Sequence, residues 1–294
     1  MLNWRRSYVH SRTGERAATI RELYRICSQQ EQQLSDEFFE SYLAGHGTAG
    51  LTAIRGIREG PGLFADAPRI VERGGGHGGL RERLGAELSG CETAVAVSGG
   101  IDCWLLAALL KSDGRAVRGW YLESGVPGYC ERDQVLRMAD AVGISCECIR
   151  VEADDFLRAL PRFVAVTETP IYNLHPVSKL LLAEGLAKRG IRAVVSGDGA
   201  DQVMRWDWNC DLLPLTLTCF EAAGVRLVAP FLGESVISLC RTPSADKSPV
   251  RALARQLGVP DVPKRPTLFP EIDGTAVADY STRLLLEELR GRVA

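Results

Sequence analysis

No stretch of the 294 residues is apolar over anything close to the ~18 positions needed to cross a bilayer, so no membrane-spanning helix is expected. Neither sign of charge is in excess: 35 Lys and Arg stand against 37 Asp and Glu, giving a net charge of −2 and a pI near 6.2. That balance supplies no field to steer the chain to nucleic acid or to an anionic membrane. Cys-x-x-Cys pairs are absent, and the nine cysteines are odd in number and scattered, which argues against a disulfide framework and a zinc knuckle. Cys146 and Cys148 alternate along an apparent strand and are read as small core residues on one face. Histidine is scarce, and His10, His46, His77 and His175 show no metal-ligand spacing. The first 25 residues carry six arginines but no apolar core, and Glu15 and Glu22 interrupt them, so they do not read as a secretory signal. A soluble, cytoplasmic protein is expected. What the chain does have is apolar mass, 46% against 24% charged, enough to bury a sizeable core.

The pattern changes near residues 75–90. Residues 1–90 read as an N-terminal extension of helix and loop, with one amphipathic helix over about 20–42 and a flexible glycine link at Gly74–Gly79. Residues 91–294 read as the main domain. Apolar strands at Thr93–Val97, Val117–Leu122, Cys146–Val151 and Ala193–Ser196 alternate with helices at Asp102–Lys111, Asp133–Val142, 155–164 and Pro176–Arg189. That order predicts an α/β fold: a doubly wound, mainly parallel sheet with helices on both faces. Beyond residue 205 the signal is mostly helical.

Two loops carry the chemistry. In the first, an apolar strand ends in Val97-Ser98-Gly99-Gly100-Ile101-Asp102-Cys103 and opens straight into a helix. Paired glycines allow close approach of a ligand, and the free N–H groups of a helix start favour an anion. Asp102 would repel phosphate unless a magnesium ion lay between them, since Mg²⁺ takes carboxylate and phosphate oxygens together. The second loop, Ser196-Gly197-Asp198-Gly199-Ala200-Asp201-Gln202, again ends a strand in glycines and carboxylates. It fails as a dinucleotide fingerprint because Gln202 stands where the third glycine would fall. Both loops lie at carboxyl ends of strands, where open α/β sheets bind ligands.

The first loop resembles the PP-loop of the ATP pyrophosphatases. With the second, which is similar to an SGxGxDE motif, the chain resembles the synthetase domain of the asparagine synthetase family. Pro230-Phe231-Leu232-Gly233 is similar to that family's PFLD segment, and Lys247-Ser248-Pro249-Val250-Arg251 to its KxxLR segment. Ser41-Tyr42-Leu43 and Thr52–Gly62 look like the stretch linking the family's glutaminase and synthetase domains, of which residues 1–90 would be a remnant. The resemblance implies a fold of PP-loop, adenine-nucleotide α-hydrolase type and the cofactors ATP and Mg²⁺. The two loops would bind the nucleotide through 97–103 and 196–199, and Asp102 and Asp201 would hold the metal. Lys247 would contact phosphate, and Glu168 would serve as base. The reaction implied is adenylation of a carboxylate on a small molecule or peptide, then attack by an amine or ammonia.

Departures from the family are Cys103 for Ser, Gln202 for an acid, Gly233 for Asp, and Lys264-Arg265-Pro266 for a second lysine region. Leu2 after Met1 and the short N-terminal part leave no room for a glutaminase. These differences point to a specialised relative, akin to β-lactam synthetases or lasso-peptide macrolactam cyclases, with the extension serving a homodimer or a partner protein. Trp206, Asp207 and Trp208 are candidate pocket walls. Two other readings stay open: an RNA-modifying PP-loop enzyme, and a nucleotide-binding relative without turnover.

Overall fold

The computed structural model describes residues 6–44, 48, 50–60, 79–205, 212–239, 246–262, 269 and 274–291. Gly74–Gly78, Trp206–Trp208 and Lys264–Pro266 therefore lie outside the described residues.

The extension is not helix and loop alone. A small antiparallel sheet places β1 (Tyr8–His10) between β2 (Arg16–Ala17) and β3 (Ile57–Glu59). The single helix expected over about 20–42 is two, α1 (Ile20–Tyr24) and α2 (Asp36–Leu43). Each has its own start signal. Thr19 and Glu22 form a capping box on α1, and the Ser35 hydroxyl accepts from Phe38 N–H at the start of α2. Between them the polar run Ser28–Gln33 turns on itself, with Glu31 accepting from both Ser28 N–H and Ser28 Oγ.

The main body begins with α3 (Leu80–Leu88), then β4 (Ala94–Ala96), α4 (Ile101–Ser112), β5 (Arg118–Ser124), α5 (Arg132–Val142), β6 (Ser145–Val151) and α6 (Ala153–Thr167). It continues with α7 (Val177–Lys188), β7 (Ala193–Ser196), α8 (Ala200–Arg205), α9 (Leu212–Ala222) and β8 (Arg226–Val228). A turn of 3₁₀ helix at Pro230–Leu232 precedes α10 (Glu234–Ile237), α11 (Ser248–Gln256) and α12 (Gly274–Leu289). The five strands β4–β8 form one parallel sheet in the order β6-β5-β4-β7-β8. The doubly wound parallel sheet read from the sequence is thus present, and the region beyond it is helical.

Alternation along the strands feeds two cores. Val95, Tyr121 and Val195 face α3, α4, α5 and α11, while Trp120, Ile149 and Val194 face α6, α7, α9 and the extension. Leu84 and Leu88 of α3 belong to the first core, so that helix packs as part of the sheet domain. Cys146 and Cys148 share a face as expected, but β6 is an edge strand and leaves both only half-buried. The sheet winds outward from β4 in one direction through β5 and β6, and in the other through β7 and β8. The switch point is the β4–β7 pair, where helices leave to opposite sides and a crevice opens beyond the strand ends. No helix among the described residues is long and apolar enough to cross a membrane.

Candidate active site

Both signature loops sit at that switch point. Val97 N–H still donates to Trp120 O at 2.8 Å, and after it the chain leaves the ladder. Trp104, fully buried in α4, donates from its indole to Ser98 O at 2.7 Å, fastening the loop to the core. Burying such a ring is worth roughly 3 kcal/mol, so the loop inherits the stability of the core. The loop's N–H groups are held by oxygens that a phosphate could replace. Gly99 N–H donates to Glu131 Oε2 at 3.0 Å, and Gly100 N–H to Ser98 Oγ at 3.2 Å. Gln134 completes the grip by donating to Gly99 O at 2.6 Å. Glu131 and Gln134 were not legible as site residues, because nothing in their spacing marks them.

The second loop is pressed against the first. A side-chain carbon at Gly197 would lie 2.7 Å from Cys103 N and 2.8 Å from Asp102 Cβ, so only glycine permits the approach. Gly199 adopts φ +93° and sits on Leu232, which brings the Pro230–Leu232 turn under the loop. Ile101, Cys103, Ser196 and Ala200 are buried behind it.

Lys247 closes the arrangement. Its ammonium lies 2.7 Å from Asp102 Oδ2 and 3.0 Å from Asp201 Oδ1. Three residues from three separated motifs therefore converge, two carboxylates on one cation. That donor set fits Mg²⁺, which takes one or two carboxylates and completes its shell with phosphate oxygens and water. Among the described residues no cluster of three or more ligating side chains exists, so a metal here would depend on the nucleotide for its remaining ligands.

The comparisons with known proteins agree with these loops. Residues 88–206 match the asparagine synthase family model. Proteins of Mycobacterium bovis and Mycobacterium tuberculosis assigned as glutamine-hydrolysing asparagine synthetases are 32% identical over 111 residues. That match covers 36% of this chain but only 16% of theirs. Among solved structures, a U34-tRNA thiolase from Methanococcus maripaludis is 15% identical over 78% of each chain, with a TM-score of 0.40.

The structure shows what surrounds three of the residues that depart from the motifs. Burial pushes the Cys103 thiol up to about 12, so it stays protonated and behaves as a hydroxyl would. It accepts from Ser98 N–H and donates to Gly100 O. At Gly233 a carboxylate is still present, supplied by Glu87 of α3. It fills the space an added side chain would need and accepts from Ser235 Oγ at 2.9 Å. Gln202 is buried in α8.

Glu168 is not brought to this cluster. α6 starts where β6 ends and runs away from the strand ends. Its cap residue Glu168 accepts from Ile20 N–H at 2.5 Å and Arg21 N–H at 3.3 Å, at the start of α1. Beside it Arg6 donates to Thr167 O and Thr169 Oγ1. Arg6 also lines a groove with Arg192 and Arg226, at the opposite edge of the sheet where β7 and β8 begin. The family resemblance implies a base here, but the side chain is held by the start of α1, as an anchor for the extension. Burial raises its carboxyl above the usual range, while the two N–H groups and the arginines pull the other way. Glu168→Ala should loosen the extension by about 2–3 kcal/mol, seen as faster amide exchange over residues 6–44. Glu168 and Lys247 are also the two non-glycine residues, among those described, with φ in the left-handed region, at 49° and 55°. Such backbone is held only where surrounding contacts over-determine it, and here each residue is pinned by its charge.

Asp198 has a cation of its own, Lys179. Lys179 Nζ contacts its Oδ1 at 3.0 Å and Ser196 Oγ donates to its Oδ2 at 2.5 Å. Burial alone would raise the Asp198 carboxyl, yet the Lys179 ammonium and Ser196 hydroxyl outweigh it and hold it below the ordinary range. One turn before Lys179, His175 Nδ1 lies 2.5 Å from Tyr129 Oη. Burial, then the charge of Lys179, push His175 down to about 4, with Asp198 opposing; burial pushes Tyr129 up to about 12. Both are neutral at pH 7. An imidazole depressed on folding favours the native state fully above its unfolded value of about 6.5, and that contribution is lost as pH falls toward 4. Between pH 7 and 5, urea unfolding should show about 1–2 kcal/mol more loss in the native protein than in His175→Gln.

Proposed function

We propose that the protein is an ATP-dependent carboxylate–amine ligase that releases AMP and pyrophosphate. The observation that carries this reading is the meeting of Asp102, Asp201 and Lys247 from three motifs at the switch point of the sheet. The match to asparagine synthase over residues 88–206 supports it.

In this reading the substrate carboxylate attacks the α-phosphate of ATP, giving an acyl-adenylate, and an amine or ammonia then displaces AMP. The glycine loop offers the N–H groups of Gly99 and Gly100 to the phosphates in exchange for Glu131 and Ser98. Asp102 and Asp201 would hold Mg²⁺, which when bound neutralises charge on the phosphates. Lys247, freed from the two carboxylates, turns its ammonium to the phosphate that becomes the leaving group. Oriented donors of this kind contribute on the order of 3 kcal/mol each to lowering the barrier.

The test is ATP turnover with Mg²⁺ over a panel of amino and other carboxylic acids, with and without ammonium. AMP and pyrophosphate, lost in Asp102→Ala, support the ligase. ADP formation, or tight ATP binding with no turnover under any condition, counts against it and leaves a nucleotide-binding relative. The acid that stimulates release names the substrate class.

A further inference from the structure

The amine that attacks an acyl-adenylate must give up a proton. In the ligase reading Asp102 and Asp201 would hold the metal, and Asp198 is on Lys179 and Ser196. Glu168 anchors the extension at the other edge of the sheet. Besides Glu131, which phosphate would release from Gly99 N–H, the loops are flanked by a neutral pair, Tyr129 and His175, joined at 2.5 Å.

The position of this pair follows from its chain neighbours. Tyr129 lies in the connection after β5, two residues before Glu131, which grips the first loop. His175 lies one helical turn before Lys179, which grips Asp198 in the second loop. The pair therefore bridges the supports of the two loops. The phenol ring is fixed on three sides. It packs edge-on against His175 and Phe156, both with centroids 5.9 Å away, and against Phe269 at 4.9 Å. The Ser178 hydroxyl, which donates to His175 O at 2.6 Å, is a second hydrogen-bonding neighbour of the phenol.

We propose that Tyr129 and His175 are the proton acceptor of the amide-forming step, an inference that rests on the ligase reading above. As the amine nitrogen bonds to the acyl carbon, its proton passes to Tyr129 Oη while the phenolic proton passes to His175 Nδ1. The tetrahedral adduct then breaks its bond to the phosphate oxygen, and AMP leaves with the electron pair. Nothing is oxidised or reduced. The imidazolium that forms lies in the field of Asp198, which favours it, and returns its proton to solvent once product has left. Tyr129 touches the reacting amine and is the catalytic residue. His175 acts through it and is a positioning residue.

The test separates the half-reactions in the full-length chain. ATP–pyrophosphate exchange, with whichever acid of the panel stimulates it most, reports adenylation. Amide formation with ammonium or methylamine reports the second step. Hydroxylamine, which attacks with little need of a base, is the rescue. Tyr129→Phe and His175→Gln should keep exchange within about twofold, lose amide formation with methylamine by roughly 10²-fold, and recover with hydroxylamine. If exchange falls in step with amide formation, the pair serves nucleotide binding or folding and the proposal is overturned. If methylamine is used as well by both variants as by the unaltered protein, it is overturned in favour of Asp198. Absence of exchange in the unaltered protein with every acid is a separate failure, since it removes the ligase reading itself and this proposal with it.

Discussion

Lys247→Ala should lower pyrophosphate release by roughly 10²–10³-fold and make the stability of the fold depend on magnesium. The ammonium is the counter-charge to two carboxylates, 2.7 and 3.0 Å away, in a site that is largely closed to water. Removing one partner of a buried ion pair costs about 3–5 kcal/mol; Asp201 is 32% exposed, which brings the expected loss nearer 2–3 kcal/mol. Millimolar Mg²⁺ should restore most of that loss in the variant, because it re-supplies the missing cation. It should do little for the unaltered protein, where Mg²⁺ must first displace the lysine. Thermal midpoints with EDTA and with Mg²⁺ read this directly. Lys247→Gly separates charge from backbone. It relaxes the φ of 55° and should be more stable than Lys247→Ala by about 1 kcal/mol, yet equally inactive. A Lys247→Ala protein with unchanged turnover and no response to Mg²⁺ would remove the lysine from the site.

Gly197→Ala is the second change with a large expected effect. Its new methyl would meet Cys103 N at 2.7 Å and Asp102 Cβ at 2.8 Å, both fixed in the first turn of α4. Neither can rotate away, so the two loops must part by a few tenths of an ångström or more. A displacement approaching 1 Å between groups that act together typically costs about 10²-fold in rate. Overpacking of this kind costs a further 1–3 kcal/mol in stability. Gly99→Ala is the control. Its methyl would meet the end of the Glu131 side chain at 2.5 Å, which can swing aside. Its stability cost should be less than half that of Gly197→Ala in the same urea titration. Equal losses would show that the loops tolerate separation.

The sheet and its loops were legible because each strand, glycine turn and helix is punctuated locally. Ala193–Ser196 followed by Gly197-Asp198-Gly199 needs no tertiary information to be read as a strand end. The strands of the extension were not legible, since runs of two or three residues cannot show an alternation. The helix expected over about 20–42 failed for a related reason. The polar run Ser28–Gln33 has no Gly or Pro to mark a break, but the caps at Thr19 and Ser35 start two helices, and caps act one residue at a time. Lys247 was placed with Asp102 by motif, and they do meet. Glu168 was placed by the family resemblance, from its stretch ahead of the second loop, and a position along the chain does not say to which edge a helix delivers its last residue. Tyr129 and His175 belong to no motif and stand 46 positions apart, and only folding makes them a pair.

The parallel sheet also sets the order in which a nascent chain can acquire this site. Asp102 emerges from the ribosome early, beside β4, but that strand's second neighbour, β7, lies almost a hundred residues further on. Lys247 comes later still, and the Ile171 backbone is tied on both sides to Ser281 of the last helix. For much of synthesis, then, two acidic loops exist without their cation, and the central strand has one open edge. Domains built on such distant pairings fold slowly and expose strand edges while they wait. Ribosome-bound chains halted before residue 247 should therefore be the protease-sensitive ones, and chains released beyond residue 289 the first to resist.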